Sequence, residues 1–158
     1  MDELINNLEH CLSIFEAPTV ASTEHNGYFV RSSISQFIIP YINRKGITNG
    51  MDIIALDNKY LVTNQADMKK IIAWDWTDNR KYVAEKYDCD NFAFSFKAMV
   101  DRKFGVNNVG LVIDSSGGHA YNIIVFNDGT VRLFEPQTDK WPRIGTNLYK
   151  FEEGKILI

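Results

Sequence analysis

The chain has 158 residues, of which 45% are hydrophobic and 13% aromatic, and this is enough for one domain with a proper core. Its 17 lysines and arginines stand against 20 acidic residues, which gives a net charge of −3. This balance argues against a nucleic-acid-binding protein, because such proteins usually carry a basic surplus. We therefore predict a single domain over residues 1–158 that does not bind nucleic acid.

Cysteine usage and the first residues bear on location. The two cysteines, Cys11 and Cys89, are far apart and do not suggest a secreted disulfide scaffold. The first residues are acidic and amphipathic and lack the basic and long apolar segments of an export signal, and no stretch approaches a membrane span. We expect a protein of a reducing cytoplasm without a membrane partner, and the sequence does not specify its oligomeric state.

The first two-thirds of the chain is mainly helical in pattern. Apolar residues at helical spacing predict an amphipathic helix over residues 2–16. The stretch YFVRSSISQFIIPYI predicts a strand over 28–31, followed by a short helix that breaks near Pro40. KYLVT predicts a strand over 59–63, and Asn64 is placed to cap the helix that follows.

The last third has the pattern of strands. VGLVID, HAYNIIVF and VRLFEPQ predict three strands, and NDGT between the second and third is a hairpin turn. A helical part over about 1–104 is thus followed by an antiparallel sheet over about 109–158. This order of elements predicts an α+β fold.

The segment YDCDNFAFSFKAMV places Cys89 at the start of a predicted helix. Asp88 can cap this helix, and the unpaired N–H groups of the first turn stabilise a thiolate and make it a better nucleophile. Asp88 and Asp90 disfavour the thiolate, so they need another role, such as capping, a salt bridge or holding a cation. A buried, inert cysteine is the alternative interpretation.

A catalytic thiol needs a base within hydrogen-bonding reach, and the base needs an orienting group. His10 and His25 lie in polar surroundings and are predicted to be surface residues. His119 follows two glycines and begins an apolar strand, so small residues leave room for another group to approach it. His119 is therefore the candidate base.

The hairpin predicts which groups surround His119. If NDG forms a three-residue loop, Phe126 pairs with Thr130, and His119 shares a face with Glu135. Gln137 then lies opposite His119. A register shifted by one residue would bring Arg132 and Phe134 to that face, but the first register gives the more apolar core face. The preferred register therefore places a carboxylate and an amide beside the imidazole.

The segments YDCDNFA, GGHAYNIIVF and LFEPQTD, in this order, resemble the C-terminal cysteine protease domain of a calcium-dependent fungal agglutinin and related small bacterial and phage proteins. The resemblance covers residues 74–140 approximately. It implies a papain-like or transglutaminase-like α+β fold and a thiol hydrolase, either a peptidase or an amidase. By the same resemblance, Cys89 is the nucleophile, His119 is the general base and Glu135 orients His119.

The resemblance also implies a cofactor. In those relatives a divalent cation, usually calcium, supports activity near the active site. Asp88, Asp90 and Gln137 are the positions that supply oxygen ligands here. Asn91 stands where many relatives have aspartate, which removes one negative charge from the implied site.

Other residues are candidates for a substrate cleft. Trp76, Tyr121 and Asn122 are predicted to line it, with core packing as the alternative. A papain-like mechanism also needs a second oxyanion-hole donor. That donor stays open among four side chains upstream of the cysteine: Gln65, Trp74, Trp76 and Tyr82.

Two classes of function therefore compete. The first is an enzyme that acts on a protein or peptide substrate through the Cys–His–Glu triad. The alternative is a catalytically silent binding protein on the same fold, such as a phage-encoded inhibitor or adaptor that acts on a host protein. Replacing Cys89 by alanine abolishes function in the first case and spares it in the second. A structural zinc site fits poorly, because one cysteine and one histidine fall short of a ligand set.

Overall fold

The computed structural model describes residues 16–20, 27–43 and 50–158. Some sequence-based assignments lie outside this part: the body of the helix predicted over 2–16, Cys11, His10 and His25. Within the described part, no helix has both the length and the apolar character needed to cross a membrane.

The described residues form helices and two sheets. The helices are α1 (Arg31–Asn43), α2 (Gln65–Trp74) and α3 (Cys89–Phe104), with a 3-10 turn at Thr77–Asn79. The strands are β1 (Tyr28–Val30), β2 (Gly50–Ile54), β3 (Lys59–Leu61), β4 (Val109–Asp114), β5 (His119–Val125), β6 (Val131–Phe134) and β7 (Glu153–Leu157). β1 and β3 form an antiparallel pair, and the other strands form one sheet in the order β2-β7-β4-β5-β6.

Helix α1 runs through Pro40 and does not break there, so the predicted break is wrong. The ring of Pro40 removes one main-chain donor inside the helix. However, Ile34, Ile38 and Ile42 recur every four residues and are all fully buried. Burying this stripe against the sheet offsets the lost hydrogen bond.

The sheet is covered on both faces. One face packs with α1 through Tyr121, Ile123 and Leu133, and the other packs with α2 and α3 through Ile124 and Phe134. Helix α3 thereby has a fixed position across β4 and β5. Its first residue, Cys89, thereby lies near the start of β5.

The predicted hairpin register is confirmed. Asn122 lies opposite Phe134 and Val125 opposite Val131, as the three-residue loop requires. Gly129 adopts φ +76, the left-handed conformation that this loop needs. The register brings the start of β5 next to the residues that follow β6.

The predicted arrangement of a helical part packed on an antiparallel C-terminal sheet is wrong. Strand β2 belongs to the supposed helical part, yet it forms an edge of the main sheet and runs parallel to β7. This pairing joins Gly50 to Glu153, two residues that are distant in the sequence. Local patterns cannot indicate such a pair, because each strand is completed only by a remote segment. The single domain over 1–158 stays a prediction.

Candidate functional site

A groove of about 490 Å³ opens where the start of α3 meets the start of β5 and the residues after β6. We call it the thiol groove. It is lined by Tyr82, Cys89, Gly118, His119, Glu135, Gln137, Thr138, Lys140, Leu148 and Tyr149.

Capping positions Cys89 at the mouth of this groove. Asp88 is the N-cap of α3, as predicted, and its N–H donates to Oδ1 of Asn91 at 3.1 Å. Phe92 and Phe96 on the same helix are buried and hold it against the sheet. The thiol therefore lies at a helix start, where main-chain N–H groups favour an anion.

His119 and Glu135 form the best-defined pair in the groove. His119 Nε2 lies 2.7 Å from Glu135 Oε2, and their side chains are only 8% and 5% exposed. The hydroxyl of Tyr149 donates to the same oxygen at 2.7 Å, and the N–H of Gln137 donates to Oε1 at 3.1 Å. An ionised carboxylate only accepts hydrogen bonds, so Nε2 of His119 carries the proton of this hydrogen bond.

The electrostatics favour one protonation pattern in this cluster. Burial by itself would raise the pKa of Glu135, but the hydrogen bonds from His119, Tyr149 and Gln137 hold that pKa below its ordinary value. Burial, and then the hydrogen bond to Glu135 and its charge, raise the pKa of Tyr149. Glu135 is therefore the charged acceptor and Tyr149 the neutral donor.

The acids that flank the thiol have the geometry of a small cation site. One donor atom from each of Asp88, Cys89 and Asp90 lies within 4.8 Å of the others. A hydrogen bond between the two carboxyl groups lowers the pKa of Asp88 and raises the pKa of Asp90. Carboxylate oxygens are ligands that calcium prefers, but the two aspartates supply only a part of its coordination shell. Gln137 lines the thiol groove, which neither aspartate lines. The calcium site stays a prediction.

The three residues predicted to line a substrate cleft lie outside the thiol groove. Trp76 is 59% exposed and faces a different pocket. Tyr121 is fully buried and donates its hydroxyl to Asp114 at 2.9 Å. Asn122 is also fully buried, and its amide donates to a carbonyl of α3 and to a carbonyl of β4. The last two side chains hold the fold together and do not reach the groove.

Sequence reasoning missed Tyr149. Its ring stands edge-on to His119, with 5.5 Å between the centroids, and its hydroxyl completes the bonds of Glu135. The only signal was an aromatic residue in the segment NLYKF, which follows the motifs at a distance. Of the proposed oxyanion donors, only Tyr82 lines the groove.

The groove thus combines a thiol with an imidazole whose position is fixed. A nucleophile, a base and an orienting acid are arranged in this way in thiol catalysis, and polar groups that converge in a cleft also serve simple ligand binding. The structure brings Cys89, His119 and Glu135 together. Their catalytic roles stay a prediction.

Several solved structures are similar to this chain, and two of them are described below. The first is PSL1a in complex with E64, with a TM-score of 0.66, 22% identity, and coverage of 83% of this chain and 51% of the other. The second is the Polyporus squamosus lectin bound to the human-type influenza-binding epitope Neu5Aca2-6Galb1-4GlcNAc, with a TM-score of 0.64, 22% identity, and coverage of 83% and 49%. The chain thus spans about half the length of these neighbours. Nothing among curated proteins matches.

A family model described as "Ricin-type beta-trefoil lectin C-terminal domain" matches residues 38–149, which is more than half of the chain. These matches show that the assignment to papain-like or transglutaminase-like cysteine proteases is wrong. The prediction of a peptidase or amidase, which depended on that assignment, is therefore also wrong. The error has a physical cause, since a cysteine, a histidine and an acid in a given order form a local arrangement that different folds share. The described part has helices on both faces of a mixed sheet, so the family's description refers to the domain and not to a threefold trefoil. The chain belongs to the family of ricin-type beta-trefoil lectin C-terminal domains.

Proposed function

We propose that this chain is a ligand-binding domain whose binding site is the thiol groove. One observation carries the proposal: His119, Glu135 and Gln137 converge in a single groove that also has aromatic walls, Tyr82 and Tyr149. Clefts that combine a few placed polar groups with apolar surface are the usual form of small-ligand sites. The partner that we expect is a protein or another ligand that the groove binds and does not convert.

The polar groups are ordered before any ligand arrives. Glu135 accepts three hydrogen bonds, and the imidazole of His119 is held by one of them. Side chains that are already fixed lose little conformational entropy on binding, so more of the contact energy appears as affinity. This supports a recognition surface at the groove.

An oligosaccharide is the ligand class that we propose. Sugars present hydroxyl groups beside apolar ring faces, and the groove sets polar groups beside Tyr82 and Leu148, which are 51% and 50% exposed. The family is named for lectins, which supports this class. About half of the glycan-bound lectin lies outside the match, so the similarity does not show where the glycan binds. The ligand must therefore be tested on this chain.

The test is a set of binding titrations with a panel of free oligosaccharides. Tyr82→Ala and Glu135→Gln are expected to weaken binding by about tenfold or more, because each removes a contact or a charged acceptor. Tyr28→Ala is the matched control, since Tyr28 is 59% exposed and lies on β1, outside the groove. It should change affinity by less than about twofold.

Cys89→Ser separates binding from thiol chemistry. A binding domain keeps its affinity in this variant, because a hydroxyl replaces a thiol of similar size. Affinity lost in Cys89→Ser, together with a covalent ligand adduct on wild-type Cys89 in intact-mass spectra, would contradict simple binding. It would mean that the thiol reacts.

A further inference from the structure

A second cavity, of about 380 Å³, lies at the β6 edge of the main sheet. It is lined by Tyr41, Val131, Arg132, Leu133, Trp141, Pro142, Arg143 and Ile144. We propose that this cavity, which we call the arginine pocket, binds an anionic group, a carboxylate or a phosphate, carried on a ring-shaped or apolar body. It shares no lining residue with the thiol groove, so it is a separate site.

The charge of the pocket favours an anion. Arg132 and Arg143 both line it, and no lining residue is acidic. In the described part of the chain, the ion pairs are formed by lysines and by His119, and neither arginine takes part in one. Two guanidinium groups that stay charged at all ordinary pH values therefore line one cavity, and no carboxylate of the described residues forms an ion pair with either of them.

Arg132 is held in place by an aromatic ring. Its guanidinium lies 4.3 Å from the ring centroid of Trp141. That indole is itself packed on Phe134 and Phe126, with centroid distances of 5.1 and 6.3 Å. This cation–π contact restrains the guanidinium of Arg132 beside the pocket. A guanidinium can bind a carboxylate or phosphate with two parallel hydrogen bonds.

The open edge of β6 adds main-chain groups to the wall. The N–H of Val125 donates to Asn108 and so points away from β6, which makes Val125 and Val131 a pair without mutual hydrogen bonds. The main-chain groups of Val131 therefore point outward, and by the same alternation those of Leu133 do too. The pocket thus sets a main-chain donor near the two arginines.

The rest of the wall defines the body that carries the anion. Tyr41, Trp141 and Pro142 offer partly exposed rings, and Ile144 closes the bottom as a buried apolar group. A ring-shaped ligand can contact these faces while its acid group meets the arginines. An inorganic anion alone would use only half of the pocket.

The test follows the indole N–H signal of Trp141 in ¹H–¹⁵N NMR spectra of the full chain. The probes are glucuronic acid, glucose 6-phosphate, neutral glucose and inorganic phosphate. We expect the two acidic sugars to shift this signal saturably, glucose to leave it unchanged, and inorganic phosphate to bind more weakly than glucose 6-phosphate. Comparing the two acidic sugars distinguishes a carboxylate from a phosphate ligand.

Matched variants locate the effect. Arg143→Ala removes an exposed side chain and should weaken binding of the acidic sugars by about tenfold or more, through loss of a charged hydrogen bond. Arg132→Lys keeps the charge but loses the planar fork, and we expect a similar loss. Arg102→Ala, in the last turn of α3, makes the same change in net charge outside the pocket and should leave affinity within about twofold.

The proposal fails if glucose binds as well as glucuronic acid, if Arg143→Ala binds as tightly as Arg102→Ala, or if no probe shifts the Trp141 signal. Failure of the thiol groove as a glycan site would leave this result unaffected, because Arg132, Arg143 and the reporting Trp141 line the arginine pocket and not the thiol groove.

Discussion

Two buried carboxylates on the main sheet are bonded in similar ways but differ in what they face. Asp114 accepts from the hydroxyls of Tyr121 and Ser116 and from the N–H groups of Gly117 and Phe151. Glu135 accepts from the hydroxyl of Tyr149, from one N–H and from His119.

The two clusters differ in two respects: only Glu135 accepts from an imidazole, and only Glu135 lines an open groove. The Asp114 cluster is sealed, with Asp114 1% exposed and Tyr121 fully buried, and Tyr121, its only titratable partner, has a pKa that burial raises further. The Glu135 cluster includes an imidazole and lines a groove. A set of hydrogen bonds alone therefore does not identify a functional acid. A functional acid is better identified by a titratable partner that faces an opening.

We expect the largest loss of stability when Asp114, the acceptor of the sealed cluster, is replaced. Asp114→Ala leaves the buried Tyr121 hydroxyl, the buried N–H of Phe151 and the partly buried N–H of Gly117 without their acceptor, so the free energy of unfolding should fall by about 3 kcal/mol or more. Urea unfolding followed by circular dichroism measures it. Asp52→Ala is the control, because the Asp52 side chain is 75% exposed and makes only a 3.5 Å pair with Lys155. A loss below about 1 kcal/mol in Asp114→Ala would contradict a sealed structural role.

Glu135→Gln should lower the free energy of unfolding by less than Asp114→Ala does, and it should change how that free energy depends on pH. The folded state holds the pKa of Glu135 below its ordinary value, so ionised Glu135 stabilises the fold. This contribution is fully present above the ordinary value of about 4.3 and is lost as the pH falls through the lower folded pKa. We therefore expect the difference in unfolding free energy between wild type and Glu135→Gln to shrink as the pH falls below about 4.

The measurement is a series of urea unfolding curves between neutral and acidic pH, for wild type and Glu135→Gln. Glu152→Gln serves as the control, because Glu152 is exposed. If the difference in unfolding free energy between wild type and Glu135→Gln stays constant down to the lowest pH, the hydrogen bonds to Glu135 do not favour its charged form.

These two clusters also show which contacts can be predicted from the sequence. The turn chemistry of NDG and the alternation of apolar residues were enough to bring His119 next to Glu135, and the acids before Phe92 were enough to start a helix at Cys89. Both are contacts between segments joined by a short turn or lying within one turn of helix. Such contacts leave a periodic trace in the sequence.

The remaining parts depended on remote segments. Tyr149 reaches Glu135, and Phe151 reaches Asp114, only because the tail returns to the sheet as β7 between β2 and β4. Tyr121 was predicted to face a cleft, but Tyr149 and Phe151 cover it. No local pattern contains that information. The protease assignment failed for a related reason, since it extended local motifs to a whole family.

A smaller effect is expected from Tyr149→Phe. The variant keeps the ring that stands against His119 and removes one donor from Glu135, so stability should fall by about 1 kcal/mol. Thermal and urea unfolding measure it, and Tyr28→Phe, on an exposed tyrosine, is the matched control. Equal stabilities of the two variants would show that the Tyr149 hydroxyl adds nothing to the open cluster.

The smallest effect on stability is expected at Cys89, and there the measurement is reactivity. Cys89 is half-buried and lines the open groove, so iodoacetamide should alkylate it in the folded protein, and an oligosaccharide bound in the groove should slow that reaction. Intact-mass and peptide spectra assign the adduct, with Cys11 as the second thiol in the same sample. Alkylation that no groove ligand slows would argue against binding at this site. The rate in His119→Ala decides the catalytic prediction: a large drop means that the imidazole takes the thiol proton, whereas an unchanged rate leaves His119 as a fixed wall of a binding site.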